Sequence, residues 1–179
     1  KFRNKQVGTF GEVGTFSTFF SHHITTMEGG LLCTNNKDLF NQAKIMRAHG
    51  WARSIQGEGL ENFCKNRNIS LQEFKDIDQR YLFLDEGYNL RPTEINASFG
   101  IQQLEKIENF NSIRKNLSKV FYQELLQFEA ISGPKVVRNC DPCFMALPIT
   151  INSNNFSASK AIQFLEYRGI ESRPLIAGN

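Results

Sequence analysis

A chain of 179 residues with 40% hydrophobic and 22% charged residues fits one ordinary folded domain, or one domain and part of another, and is too apolar for a disordered segment. Its 21 basic and 18 acidic residues leave a net charge of +3, too small and too dispersed to suggest nucleic acid as a partner. No apolar run approaches the length of a membrane span, and Lys1-Phe2-Arg3-Asn4-Lys5 has neither an initiator Met nor a signal-peptide core, so the expected setting is cytoplasmic.

Val13–Phe20 and Leu31–Thr34 read as short strands flanking a polar turn that ends in Gly29-Gly30. A turn of this kind exposes one or two side chains at a sheet end, where α/β proteins place their chemistry, and His22 lies at its centre. A helix follows from about Asn36, which can cap it. Asp38 sits in its first turn, Leu39, Ala43 and Met46 share a face, and Lys44, Arg47 and His49 gather before the stop at Gly50.

Trp51–Gly59 reads as a glycine-broken loop, without the lysine and helix start of a phosphate-cradling loop. Asn68–Asp78 is expected to hold a short helix capped by Ser70, and Tyr81–Leu84 is strand-like. A helix then starts at Thr93, made thin by Ala97, Ser98 and Gly100 and so suited to close packing. From Ser112 a second, amphipathic helix carries Ile113, Leu117, Val120, Phe121, Leu125 and Phe128, with Gly133-Pro134 as its stop. Strand Phe144–Thr150, helix Ser157–Arg168 and strand Ile170–Arg173 complete the order. The alternation predicts an α/β protein with at least part of a mixed or parallel sheet, and the helix near 111–129 as a connector between two domains. Both ends are abrupt, and the chain is expected to close without a terminal helix, as a piece of a longer protein.

Cys33, Cys64, Cys140 and Cys143 are too scattered for a disulfide framework. Cys140-Asp141-Pro142-Cys143 matches C-x-x-C, but no second ligand pair follows to complete a zinc site, and the motif precedes a strand instead of opening a helix. It is read as an ordinary loop, with no metal.

Several motifs occur together: Gly8-Thr9-Phe10-Gly11-Glu12-Val13-Gly14-Thr15-Phe16-Ser17, the His22 turn with Glu28-Gly29-Gly30, and Arg47-Ala48-His49-Gly50. Gly87-Tyr88-Asn89-Leu90-Arg91-Pro92-Thr93-Glu94-Ile95 and Gly169-Ile170-Glu171-Ser172-Arg173-Pro174 continue the set. In this order they resemble the DegT/DnrJ/EryC1/StrS sugar aminotransferase family over essentially the whole chain. The resemblance implies a fragment of a fold-type I, aspartate aminotransferase-like enzyme dependent on pyridoxal 5'-phosphate. Residues 1–110 would be the later part of its large cofactor-binding domain, and 111–179 the start of the smaller C-terminal domain.

In most of that family the position of His22 is a Schiff-base lysine; His22-His23-Ile24-Thr25-Thr26 is similar to the branch in which histidine replaces it. That branch implies a nucleotide-sugar 3-dehydratase of deoxysugar and O-antigen biosynthesis. It holds pyridoxal or pyridoxamine 5'-phosphate non-covalently, and glutamate restores the amine form. Histidine, with an ordinary pKa near 6.5, suits reversible proton transfer near neutrality, and the cofactor supplies the electron sink. GDP-4-keto-6-deoxymannose is the leading substrate. The reductase-dependent CDP-sugar type of the branch needs four clustered thiolates after the region of His49, where only Cys64 stands. A relative that binds without turnover is the remaining alternative.

The resemblance assigns His22 as the catalytic base and Ser17 to the cofactor phosphate. Asn89 would reach that phosphate in a second subunit, implying a homodimer with shared sites. His49 and Arg53 are candidates for the sugar-nucleotide pocket, and Arg53 and Arg173 for the diphosphate or a glutamate carboxylate, since guanidinium suits bidentate oxyanions. A helix-end role for His49 stands beside this one, and Arg91 is read as a brace for the Asn89 loop. His23 is expected to point away from His22, as neighbours on an extended backbone do. The family's pyridine-pairing aspartate and ring-stacking aromatic fall upstream of the matched region.

Overall fold

The structure, a computed structural model, describes residues 1–175 apart from the side chain of Gln79. The expectation that the chain closes without a helix therefore lies partly outside the described residues. Two compact units are present: Asn4–Ile107 together with Phe2, and Glu108 onward together with Lys1 and Arg3.

In the first unit, β1 (Val13–Ser17) and β2 (Gly30–Thr34) form an antiparallel pair that sets Val13 opposite Thr34 and Ser17 opposite Gly30. β1 ends at Ser17, short of the expected Phe20, because the chain leaves the ladder to make the His22 turn. Thr18 alone continues the pairing, its N–H donating to the Gly29 carbonyl at 3.0 Å. α1 (Lys37–Met46) begins as expected: the Asn36 carboxamide accepts from the N–H groups of Asp38 and Leu39.

The segment read as a glycine-broken loop holds a 3-10 turn at Ala52–Ser54, and its last two residues open α2 (Glu58–Asn66). Gly57, at φ +57°, lets the chain enter α2, and Leu60, Phe63 and Cys64 then fall on one buried face. They meet Ile45, Ala52, Ile55 and Leu82 in the core of this unit. Burial of side chains such as Ile45 and Phe63 stabilises the fold by roughly 1.5–3 kcal/mol each.

Three expectations in this unit are corrected. Asn68–Asp78 gives only a 3-10 turn, Leu71–Phe74, and Ser70 precedes it without a capping side-chain bond. Tyr81–Leu84 is not a strand: Tyr81 closes a 3-10 turn, and Phe83 makes a single isolated bridge to Trp51. The helices expected from Thr93 and from Ser112 are one, α3 (Glu94–Leu125), because no proline or glycine follows Gly100 to interrupt it. Thr93 does cap its start, accepting from the Asn96 N–H. α3 runs out of the first unit into the second.

α3 stops at Leu125 and does not reach Gly133-Pro134. The Gln127 side chain donates to the Glu124 carbonyl, and tighter turns follow at Leu126 and Phe128. In the second unit β3 (Ile131–Ser132) pairs antiparallel with β4 (Thr150–Ile151), so that of the expected strand Phe144–Thr150 Thr150 alone joins a ladder. Pro148 has no N–H for a longer one. α4 (Ala158–Tyr167) is capped by Ser157 and followed by Gly169 at φ +78°. Ile170–Arg173 forms no strand. Both sheets have two strands, both antiparallel, so the described residues mix helix and strand without the parallel or mixed sheet that the alternation suggested.

Candidate active site

The His22 turn is closed at its base and open at its tip. The Thr26 N–H donates to the Thr18 carbonyl at 2.8 Å, and the two threonine hydroxyls meet at 2.6 Å. Thr18 is buried, so this clamp is shielded from water. Within the loop the His22 N–H donates to the Phe19 carbonyl at 3.1 Å, and the Phe19 N–H donates to the Ser17 hydroxyl at 3.2 Å. The His22 ring stands edge-on to the Phe19 ring at 5.9 Å. Phe19 thus joins Ser17 and His22 into one structural turn. Ser17 is exposed and its oxygen already accepts, which leaves its proton for an outside acceptor. His22 and His23 lie in a bend of the chain and not on the extended backbone assumed for them.

Two motifs separated in sequence run side by side here. His49 and Gly50 both adopt left-handed backbone, at φ +60° and +81°, and turn the chain sharply after α1. Residues 46–52 then line up against 82–90. Tyr88 donates to Met46, His49 to Tyr88, Leu90 to Arg47, Leu84 to Gly50 and Ala52 to Leu82. Ala48 bridges Asn89, so His49 and Asn89 are held on neighbouring backbones, with Asn89 exposed and His49 half-buried.

Trp51 organises the polar groups around that junction. Its ring meets His49 at 5.1 Å and Phe83 at 5.7 Å, while the guanidinium carbons of Arg53 and Arg91 stand 4.6 and 5.2 Å from its centroid. Among the described residues neither arginine is ion-paired. The Trp51 indole nitrogen is buried without an acceptor. Two guanidinium groups and a buried indole N–H thus gather at this junction, and guanidinium is suited to an oxyanion. Nothing in the sequence reading pointed to Trp51. Arg91, read there only as a brace, shares the indole with Arg53; spacing gave no sign of it because the two lie on different segments.

Arg173 lies beyond α4 in the second unit, exposed, with its Nη2 3.4 Å from the Glu171 carboxylate. Cys33, Cys64 and Cys140 are free thiols, and among the described residues no group of three or more His, Cys, Asp or Glu side chains could hold a metal ion. Burial pushes the Cys64 thiol pKa up, with Arg67 opposing it. No described helix is long and apolar enough to cross a membrane.

The donor set can be compared with what a pyridoxal-type cofactor requires. No lysine or arginine occurs between Gln6 and Asn36, so the turn offers no amine for a covalent link. It does offer the free hydroxyl proton of Ser17 and the imidazole of His22. These fit a cofactor held through its phosphate without a covalent bond.

A solved structure of the E. coli GDP-4-keto-6-deoxy-D-mannose-3-dehydratase with bound hydrated PLP is similar over 100% of this chain and 44% of that one, with a TM-score of 0.84 at 31% identity. A second structure of GDP-4-keto-6-deoxymannose-3-dehydratase, with a trapped PLP–glutamate geminal diamine, gives a TM-score of 0.83 at 30% identity over 97% of this chain and 43% of that one. The fold is accordingly that of the PLP-dependent aminotransferase-like proteins, present in part. The chain belongs to the DegT/DnrJ/EryC1/StrS aminotransferase family, matched over residues 1–177. It is 31% identical over 179 residues to the GDP-4-keto-6-deoxy-D-mannose 3-dehydratase of Escherichia coli O55:H7, which covers 99% of this chain and 44% of that protein. The chain thus spans less than half the length of that relative.

Proposed function

We propose that this chain is part of a nucleotide-sugar 3-dehydratase that uses pyridoxamine 5'-phosphate and removes the 3-hydroxyl of a GDP-linked 4-keto-6-deoxymannose, with glutamate regenerating the amine. The observation that carries the proposal is a histidine at the tip of the turn, with no lysine or arginine anywhere in that turn. Similarity to a dehydratase solved with PLP, and to one solved with a PLP–glutamate adduct, supports the cofactor and the amine donor. Residues 1–110 are assigned to the later part of the large domain and 111–179 to the start of the small one. The setting is taken as cytoplasmic and the pathway as deoxysugar and O-antigen synthesis.

When bound, the cofactor supplies an electron sink for charge that develops on its aminomethyl carbon. Ser17 donates its hydroxyl proton to the cofactor phosphate. Asn89, on the exposed rim, reaches the phosphate held by a second copy of this chain, which makes the enzyme a homodimer with shared sites. His49 and Arg53 face the nucleotide diphosphate, and Arg173 binds a carboxylate of glutamate. With the cofactor bound, His22 would take up the proton lost from the aminomethyl carbon and pass it to the sugar 3-hydroxyl, which would leave as water. Positioned acid–base groups of this kind contribute on the order of 10²–10⁴ in rate.

The test is ammonia release by the whole protein supplied with GDP-4-keto-6-deoxymannose and glutamate, whose amino group is the source of the nitrogen. His22→Asn should abolish it while the cofactor still binds. Undiminished turnover in that variant would remove His22 from the reaction.

A further inference from the structure

We propose that Asn96, in the first turn of α3, is a positioning residue that fixes the loop carrying His22. The inference rests on the reading of His22 as the base, but the geometry behind it is independent of any reaction. The Asn96 amide nitrogen donates to the Thr26 carbonyl at 2.6 Å and to the Glu28 carbonyl at 3.3 Å. Its amide oxygen accepts from both the hydroxyl and the N–H of Thr93, the residue that caps α3. Reversing the amide would aim its oxygen at two carbonyls and its nitrogen at an N–H, so the network allows one orientation only.

Thr26 is also where the loop closes. It receives Asn96 on its carbonyl while its own N–H and hydroxyl engage Thr18. Asn96 therefore anchors the closing pair, and every residue of the His22 tip lies between those two threonines. Two more residues on the same face of α3 serve the loop. Gly100 leaves room for the Thr26 methyl, which would stand 3.0 Å from a Cβ added there. Gln103 accepts from the Thr25 N–H at 3.4 Å. Positions 96, 100 and 103 lie on successive turns of one stripe. Of the small residues expected to let this helix pack closely, Gly100 meets the loop that holds the base, while Ala97 and Ser98 are exposed.

α3 follows directly on Asn89, Arg91 and Pro92. The helix that braces the His22 loop therefore begins where the segment proposed to serve a second subunit ends. A displacement of about 1 Å at a reacting group can cost on the order of a hundredfold in rate.

The experiment compares wild type, Asn96→Asp and Asn96→Ala in the whole protein. Asn96→Asp keeps the acceptor for Thr93 but loses both donors to the loop, so it separates capping of α3 from tethering of the turn. Its melting temperature should lie between those of wild type and Asn96→Ala, and its kcat should be lower by roughly tenfold to a hundredfold, with the KM for the nucleotide sugar within about twofold. Without substrate, the His22 ring resonances should shift, and amides in residues 19–25 should exchange at least about tenfold faster. Asn96→Ala should show the same loop changes with a lower melting temperature. An Asp variant with wild-type kcat, an unmoved His22 resonance or unchanged loop exchange overturns the proposal. If the wild-type protein dehydrates no sugar, the proposed reaction fails, while the resonance and exchange measurements still decide whether Asn96 holds the loop.

Discussion

Gly87 lies directly against Gly50: a Cβ placed on Gly87 would stand 2.1 Å from the Gly50 nitrogen, and one placed on Gly50 would stand 1.8 Å from the Asp85 carbonyl oxygen. This contact is the pivot of the pairing between residues 46–52 and 82–90. Gly50 also sits at φ +81°, where a side chain is strained. Gly50→Ala and Gly87→Ala should each lower stability by about 3 kcal/mol, because the two backbones must separate to relieve the overlap. The double variant should cost less than the sum of the two, since one separation relieves both clashes. Denaturant unfolding of the whole protein checks the order of these effects.

The sequence made the ends of elements legible where a local signal settles them. Asn36 and Thr93 cap helices as read, because each side chain bonds backbone N–H groups within three residues. It failed where partners lie far away in the chain. α2 was hidden by Gly57 and Gly59, and its Leu60-Phe63-Cys64 face makes sense only beside Ile45 and Leu82. Tyr81–Leu84 has strand-like residues, yet the chain around Gly50 meets them through one bridge and a few loop hydrogen bonds. The candidate residues Ser17, His22, His49 and Asn89 came from motif order. Their joining through Phe19, and through the Ala48–Asn89 bridge, could not be read from spacing. Trp51 and Asn96 act across roughly 30 to 70 residues of chain, beyond any local pattern.

The cysteines should separate by reactivity. Cys64 is buried against Phe63 and Ile45, and its pKa is raised because burial disfavours the thiolate. Cys33 is exposed on β2. Since the thiolate is the nucleophile and must be reached by the reagent, exposed Cys33 should be alkylated well before Cys64. Cys64 should react only after denaturant is added. Mass-spectrometric mapping of iodoacetamide adducts gives the order, and early labelling of Cys64 would contradict a closed core around α2.

Asp141 should titrate low. Lys115 Nζ lies 2.6 Å from its carboxylate, and this bond is the main cause of its depressed pKa, helped by the charge of the Lys1 side chain. A depressed carboxyl stabilises the fold above its unfolded pKa of about 3.9 and loses that contribution as pH falls through the folded value. The effect on stability should therefore appear only on acidification below about pH 4. Lys115→Met should move the Asp141 midpoint up toward an ordinary carboxyl, read from its 13C carboxyl resonance. Both groups are largely exposed, so added salt should bring the wild-type midpoint up in the same direction.

Trp51 should matter more to affinity than its lack of reactive chemistry suggests. Arg53 and Arg91 reach the indole from different segments, and without it each guanidinium would be a flexible exposed cation. Holding them in place in advance spares an incoming diphosphate the entropy of ordering two long side chains, about 0.5–1.5 kcal/mol each. Trp51→Ala should raise the KM for the nucleotide sugar by roughly fivefold to a hundredfold, with kcat less affected. Trp51→Phe keeps an aromatic face and removes an indole N–H that has no acceptor, so its KM should lie near wild type. Arg53→Met and Arg91→Met should each raise KM, and a double-mutant cycle with Trp51→Ala should show strong coupling because all three act as one unit. Independent effects of Arg53 and Trp51 would show that the ring and the cation do not cooperate in binding.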